Sequence, residues 1–340
     1  MLPNQDPDLR LKHSEESQTA FLVVPLGGTG LAAARPFRDL HTMDGCPFPV
    51  TIVAMDTDPS SAPWADQQIH LGLDGQKARA VVANAGVFGP TAKTIVRDFF
   101  ALLDPENIVK GSRTTRALTQ LSFVYFEQTI LKQLRDAVLH LYHQGGFTHI
   151  VPVFLSSTGG GTGSALSILL PQKMKQARFA SRLTEGMPSG VVQTPILFMV
   201  EPFAFAMRNQ SLHADKILAN AFAFRIESAM LELSGAIRYC FHLGLASRGG
   251  TVLDTPEEIA RVLGTAAYQF LYHWPQIKGR LVDTVDTHAL TAHYAGQDLW
   301  ERVRGLFSPG VQRAATCNQD DLSPRARPTP DANGTIGSMH

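Results

Sequence analysis

The chain is poor in cysteine, carries no excess of charge and has no long apolar run, and each shortage excludes a class of protein. Its 340 residues hold 3 cysteines, Cys46, Cys240 and Cys317. They are widely spaced and form no C-x-x-C, which excludes a disulfide framework and a cysteine zinc site. The 12 histidines are scattered, with no H-E-x-x-H among them. Lys plus Arg number 30 and Asp plus Glu 30, so the formal net charge is zero. No global field draws nucleic acid or an anionic membrane, and no nucleic-acid partner is expected. Residues 1–19 are polar and lack the apolar centre of a signal peptide, and no uncharged apolar run approaches the roughly 20 residues of a membrane span. A cytoplasmic protein without direct membrane insertion is the expectation. The 44% hydrophobic content suffices for a substantial core, in one large domain or two of ordinary size.

Apolar runs of strand length recur along the chain: Ala20 to Leu26, Val50 to Met55, His149 to Leu155, Pro195 to Val200 and Ile237 to Leu243. Between them, Thr91 to Leu103, Leu118 to Tyr142, Ala214 to Leu233 and Pro256 to Tyr272 carry apolar residues at helical spacing. This alternation predicts an α/β fold, three-layered and Rossmann-like, with a mostly parallel sheet covered by helices on both faces. No internal repeat is present. From about Ser308 the chain turns to Pro, Arg, Asp, Asn, Gly and Ser without periodicity. Such a composition cannot bury enough apolar surface to offset conformational entropy, and 308–340 is expected to be a disordered tail.

The most informative stretch is Ser156-Ser157-Thr158-Gly159-Gly160-Gly161-Thr162-Gly163-Ser164-Ala165, which lies between an apolar strand (Ile150 to Leu155) and an apolar helix-like run (Ala165 to Leu170). Glycines there let bare backbone N–H groups approach anionic oxygens, and the start of the following helix adds its positive end. No Lys follows the glycines, so this is not the P-loop of nucleotide triphosphatases. A second glycine turn, Gly27-Gly28-Thr29-Gly30, joins the first strand to Leu31-Ala32-Ala33-Ala34. Asp56-Thr57-Asp58 ends the second strand, where open α/β sheets bind ligands and where acids hold a ribose hydroxyl or a metal ion.

In this order, the loops resemble those of the tubulin/FtsZ superfamily over about residues 20 to 290, and more closely its divergent bacterial tubulin-like members. Gly27 to Gly30 matches the family's G-G-x-G loop, Asp56-Thr57-Asp58 its N-T-D with the Asn replaced, and Gly159 to Ala165 its GGGTGSA signature. Asn84 to Gly89 corresponds to a third phosphate-side loop. Gly111 to Leu118 and the Pro202-Phe203 step after the fifth strand also agree in position. The resemblance implies binding of a purine nucleotide, GTP above all, with Mg²⁺. The phosphate site comprises Gly27, Gly28, Thr29, Gly30, Gly159, Gly160, Gly161, Thr162, Gly163 and Ser164, beside Asp56 and Asp58, with Asp58 at the metal. It further implies hydrolysis coupled to head-to-tail self-association into filaments. The hydrolytic acids are then Asp283 and Asp286 of Asp283-Thr284-Val285-Asp286, after the helix Pro256 to Tyr272, acting on the neighbouring subunit's nucleotide.

The expected organisation is a flexible 1–19, a tubulin-like nucleotide-binding domain over 20–255, a central helix with its following loop and helix over 256–307, and the tail. On this resemblance the family's second β-sheet domain is expected to be missing, the chain being either naturally short or truncated. The family's purine-contacting Asn is also missing from His242 to Ser247. Two alternatives stay open at this level. Gly28-Thr29-Gly30-Leu31-Ala32-Ala33 satisfies G-x-G-x-x-[GA], and with Asp56 it fits a nicotinamide-dependent oxidoreductase that leaves the second glycine loop unused. A nucleotide-binding assembly partner without hydrolysis is the other.

Overall fold

The computed structural model describes residues 18–43, 46, 48–59, 62–98, 114–202, 214–243 and 255–274. In chain order the elements are β1 (Thr19–Pro25), α1 (Gly27–Met43), β2 (Val50–Asp56), β3 (Gln67–His70), α2 (Gly75–Ala83), α3 (Pro90–Asp98), α4 (Arg116–Gly145), β4 (His149–Ser157), α5 (Gly161–Lys175), α6 (Ala177–Leu183), β5 (Ile196–Val200), α7 (Ala214–Leu233), β6 (Tyr239–Leu243) and α8 (Pro256–Tyr272).

The six strands form one sheet in the order β3-β2-β1-β4-β5-β6, and every pairing is parallel. Central strands of a parallel sheet are covered on both faces and so read as continuous apolar runs. Accordingly β1, Thr-Ala-Phe-Leu-Val-Val-Pro, is buried at every residue. Its alternate side chains enter two different cores. Phe21 and Val23 join α1 and α8 on one face, with Phe37, Val262, Leu263 and Phe270. Ala20, Leu22 and Val24 join α4, α5, α6 and α7 on the other, with Leu134, Leu166, Phe179 and Phe224. The fold is therefore the three-layered α/β arrangement that the alternation predicts.

Local signals fix several boundaries. Thr255 caps α8 by accepting from Glu258 N at 3.1 Å, with Pro256 at the first helical position and Glu257 and Glu258 in the first turn. These acids complement the positive helix start. Gly146 closes α4 in the left-handed region at φ 66°. Gly264, in the middle of α8, answers to packing: a Cβ there would stand 2.1 Å from the Ala33 carbonyl oxygen of α1. Glycine costs such a helix about 1 kcal/mol, but it lets α8 lie directly on α1.

The five predicted strands are all present, with β6 beginning at Tyr239 and not at Ile237. The edge strand β3 has one buried apolar residue, Ile69, and offers too little pattern to be read from sequence. Helix α3 begins at Pro90, one residue before the expected Thr91, while 99–103 lie outside the described residues, as do 1–17 and the whole of 275–340. Among the described residues no helix is long and apolar enough to cross a membrane.

Candidate nucleotide-phosphate site

The sheet order places β1 beside β4, with β2 and β3 on one side and β5 and β6 on the other. The helices leaving β1 and β4, α1 and α5, go to opposite faces. Such a reversal opens a crevice at the carboxyl ends of the two strands, the usual ligand position in open α/β sheets. Both glycine turns singled out in the sequence lie there. The fold thus brings together segments separated by more than a hundred residues.

The three loops are tied to one another by specific bonds. Leu26 N donates to Leu155 O at 2.9 Å, and Ser156 Oγ donates to Leu26 O at 2.9 Å. The hydroxyls of Thr57 and Thr162 are 2.6 Å apart, so the end of β2 is clasped to the first turn of α5. Thr158 holds the other side, its N–H and hydroxyl both donating to Val200 O at the end of β5, at 2.9 and 3.2 Å. Asn220 of α7 donates through Nδ2 to Gly159 O at 3.0 Å and to Thr114 O at 2.7 Å. The signature loop is therefore fixed from β1, β2, β5 and α7. A pre-positioned array of backbone donors needs this rigidity.

The glycines divide into two kinds. A Cβ on Gly30 would lie 2.1 Å from Leu155 O, and one on Gly163 would lie 1.8 Å from Ser156 Oγ and 2.9 Å from Leu26 O. Those two are needed for helix-to-strand packing. Gly27 has φ +68°, which gives the turn itself a reason for glycine. Gly28 is different, because it is exposed, has ordinary φ and would place a Cβ in open space. Nothing within the described chain requires a glycine there. Gly160 is half-buried, and a Cβ would meet only Ser157 Oγ at 3.2 Å. It caps α5 without any side-chain cap hydrogen bond. A first turn whose N–H groups have no side-chain cap suits an anion.

The side chains of the predicted set fall differently. Thr162 is buried and engaged with Thr57 and the Asp56 carboxylate, so its hydroxyl holds loops together. Ser164 is wholly buried, and its Oγ has no hydrogen-bond partner among the described residues. Thr29 is half-buried beside the exposed Gly28. Asp56 is 5% exposed, and its Oδ1 accepts from Thr57 N at 2.7 Å and Asp58 N at 3.3 Å. Burial pushes this carboxyl above the ordinary range, against the hydrogen bonds from Asp58, Thr57 and Thr162. Asp58 is the exposed acid at the end of β2. Asn84 to Gly89 forms the turn between α2 and α3, whose apolar residues pack with Leu118 and Leu121 of α4 in a separate small core. Asp283 and Asp286 lie outside the described residues.

Sequence reasoning missed Ser156, Thr158 and Asn220 as fixing residues. The serine and threonine were visible beside the glycines, but only the sheet shows which carbonyls they reach. Asn220 gave no distinguishing signal, being one polar residue among Asp215, Lys216, Arg225, Glu227 and Glu232 on the same helix.

No family model and no curated protein sequence matches the chain. Among solved structures, it is similar to CetZ2 from Haloferax volcanii in a GTPγS-bound protofilament, at 12% identity and TM-score 0.48, over 78% of this chain and 62% of that one. CetZ from Methanosaeta thermophila strain DSM 6194 aligns at 15% identity and TM-score 0.43, over 80% of this chain and 56% of that one. TubZ of Clostridium botulinum phage c-st aligns at 12% identity and TM-score 0.37, over 75% and 59%. This chain covers less than two thirds of the length of each.

Proposed function

We propose that the chain binds a purine nucleoside triphosphate, GTP in the first instance, at the carboxyl ends of β1 and β4, and that it hydrolyses it as tubulin/FtsZ proteins do. The observation that carries this is the open Gly28 beside an α5 start without a side-chain cap, across the crevice where the strand order reverses. The residues fit a polyphosphate: two glycine turns offer N–H groups from two directions, and Gly28 leaves room for close approach. Gly27 to Gly30 hold one end of the phosphate chain and Gly159 to Gly163 the other. Ser156, Thr57, Thr158 and Asn220 keep these donors in place. Mg²⁺, when bound, neutralises phosphate charge and comes with most of its own waters, so a single exposed carboxylate, Asp58, is a sufficient protein partner.

Asp56 supports a triphosphate over a dinucleotide. Its carboxylate is spent on the turn of its own backbone and on Thr162, which withdraws it from the ribose-binding role of a nicotinamide site. Within the proposal, 20–255 is the nucleotide-binding unit of a cytoplasmic protein that self-associates head to tail. Asp283 and Asp286 polarise the attacking water on a neighbouring subunit's nucleotide.

Calorimetry with GTP, ATP and NADH, each with Mg²⁺, tests the proposal. Saturable binding of a purine triphosphate that Gly28→Val weakens at least tenfold supports it. Binding of NADH alone, or triphosphate affinity unchanged in a folded Gly28→Val protein, overturns it.

A further inference from the structure

Apart from the glycine loops, one cluster at the β5–β6 edge of the sheet joins a nucleophile to two groups able to assist it. Cys240 and His242 project from β6 two residues apart, so they share a face of the strand. Cys240 Sγ is 3.3 Å from His242 Nε2, and His242 Nδ1 is 2.7 Å from Glu201 Oε1. Glu201 follows β5 and is buried, and its other oxygen stands 2.9 Å from Arg225 of α7 as an ion pair. With one ring nitrogen on a carboxylate and the other on sulfur, the ring is fixed in orientation. We propose that Cys240 is a reactive thiol, assisted by His242 and positioned through Glu201, that is modified by small electrophiles of the peroxide class.

The chemistry follows from the geometry. Nδ1 keeps its hydrogen toward Glu201, and a single proton lies between Sγ and Nε2. Sulfur attacks the nearer oxygen of hydrogen peroxide as the O–O bond breaks. The departing hydroxide takes the proton held at Nε2 and leaves as water. Sulfur is oxidised by two electrons to the sulfenic acid, and the peroxide is reduced by the same two. The surroundings favour charge on the imidazole. Burial opposes it, but Cys240 and Glu201 outweigh burial and raise His242 to about 10. Among the described residues, the remaining charged groups beside this cluster are on α7: Arg225, paired with Glu201, and Glu232, which burial raises to about 7 against the pull of His242. Phe224 of α7 lies edge-on to the ring, 6.1 Å between centroids. Cys240 itself is 8% exposed, which selects small reagents.

The half-buried Cys46 supplies a control in the same molecule, since accessibility alone makes it the faster of the two. Whole protein is treated with hydrogen peroxide and a sulfenic-acid trap, or separately with iodoacetamide, and each cysteine is quantified by peptide mass spectrometry between pH 6 and 8. Cys240 is expected to react at least ten times faster than Cys46 at pH 6.5. Its rate should be nearly level with pH, where an ordinary thiol gains about tenfold per unit. His242→Gln and Glu201→Gln should slow Cys240 at least tenfold while Cys46 is unchanged. Reaction of Cys240 no faster than Cys46, or with the pH slope of an ordinary thiol, overturns the proposal. That comparison needs no variant, so it decides the question even if a substituted protein does not fold.

Discussion

Replacing Gly30 with alanine tests whether the glycine turn after β1 is partly a packing device. The added methyl carbon would lie 2.1 Å from Leu155 O and 3.1 and 3.2 Å from the carbonyl carbons of Leu155 and Pro25. Ordinary contact begins at about 3.4 Å, so the nearest gap is about 1.3 Å short. All three atoms are backbone, and no rotamer change can relieve the overlap. Either α1 moves off β4 or the start of the helix distorts, and both disturb the Leu26 N to Leu155 O bond. A backbone overlap of this depth belongs at the upper end of overpacking costs, about 3 kcal/mol. Gly28→Ala, two residues earlier, meets nothing within 4 Å and should leave stability within about 0.5 kcal/mol of the parent. Urea denaturation distinguishes them: the midpoint of Gly30→Ala should fall by about 1 M, and that of Gly28→Ala should barely move. Equal midpoints would refute the division into packing glycines and open ones.

Other expectations follow from the same geometry. Asp56 has its carboxyl raised by burial, so its ionisation opposes folding: the contribution is favourable below the unfolded value near 3.8 and is lost as pH rises through the folded one. Asp56→Asn should therefore gain on the parent as pH rises from 3.5 to 7, measured by urea unfolding at each pH. A constant difference would show that burial of the charge is unimportant. His242, raised to about 10, stabilises fully below its unfolded value near 6.5 and loses that contribution as pH rises toward 10. The destabilisation caused by His242→Gln should accordingly be larger at pH 6.5 than at pH 10. Gly163→Ala drives a methyl to 1.8 Å from Ser156 Oγ and should destabilise by at least about 2 kcal/mol, with partial rescue by Ser156→Ala in a double-mutant cycle. Additive effects of the two changes would place the clash elsewhere. On the proposed function alone, Asp283→Ala and Asp286→Ala should slow nucleotide turnover while sparing affinity, and wild-type turnover per molecule should rise with protein concentration. Concentration-independent turnover with neither acid mutant impaired would remove the shared site.

The sequence by itself determined the class of fold and the place of the two glycine turns. Strands buried on both faces must be apolar throughout, so β1, β2, β4, β5 and β6 stood out as runs, and glycine turns between a strand and a helix are conspicuous without any coordinates. It could not disclose β3, where Ile69 alone is buried, because an edge strand has little apolar requirement. It also could not separate Gly30 and Gly163 from Gly28, since all are the same letter until the distance to Leu155 O or Ser156 Oγ is known. The surroundings of Asp56 were hidden for the same reason. In sequence it is an acid at a strand end, whereas in the fold its carboxylate closes on Thr57, Asp58 and Thr162. Glu201, Cys240 and His242 form a group only because β5 and β6 pair in register, bringing Met199 beside His242 and Leu197 beside Cys240. Local chemistry is written along the chain, but which groups face one another depends on strand order and register, and these are set by the burial of every strand at once.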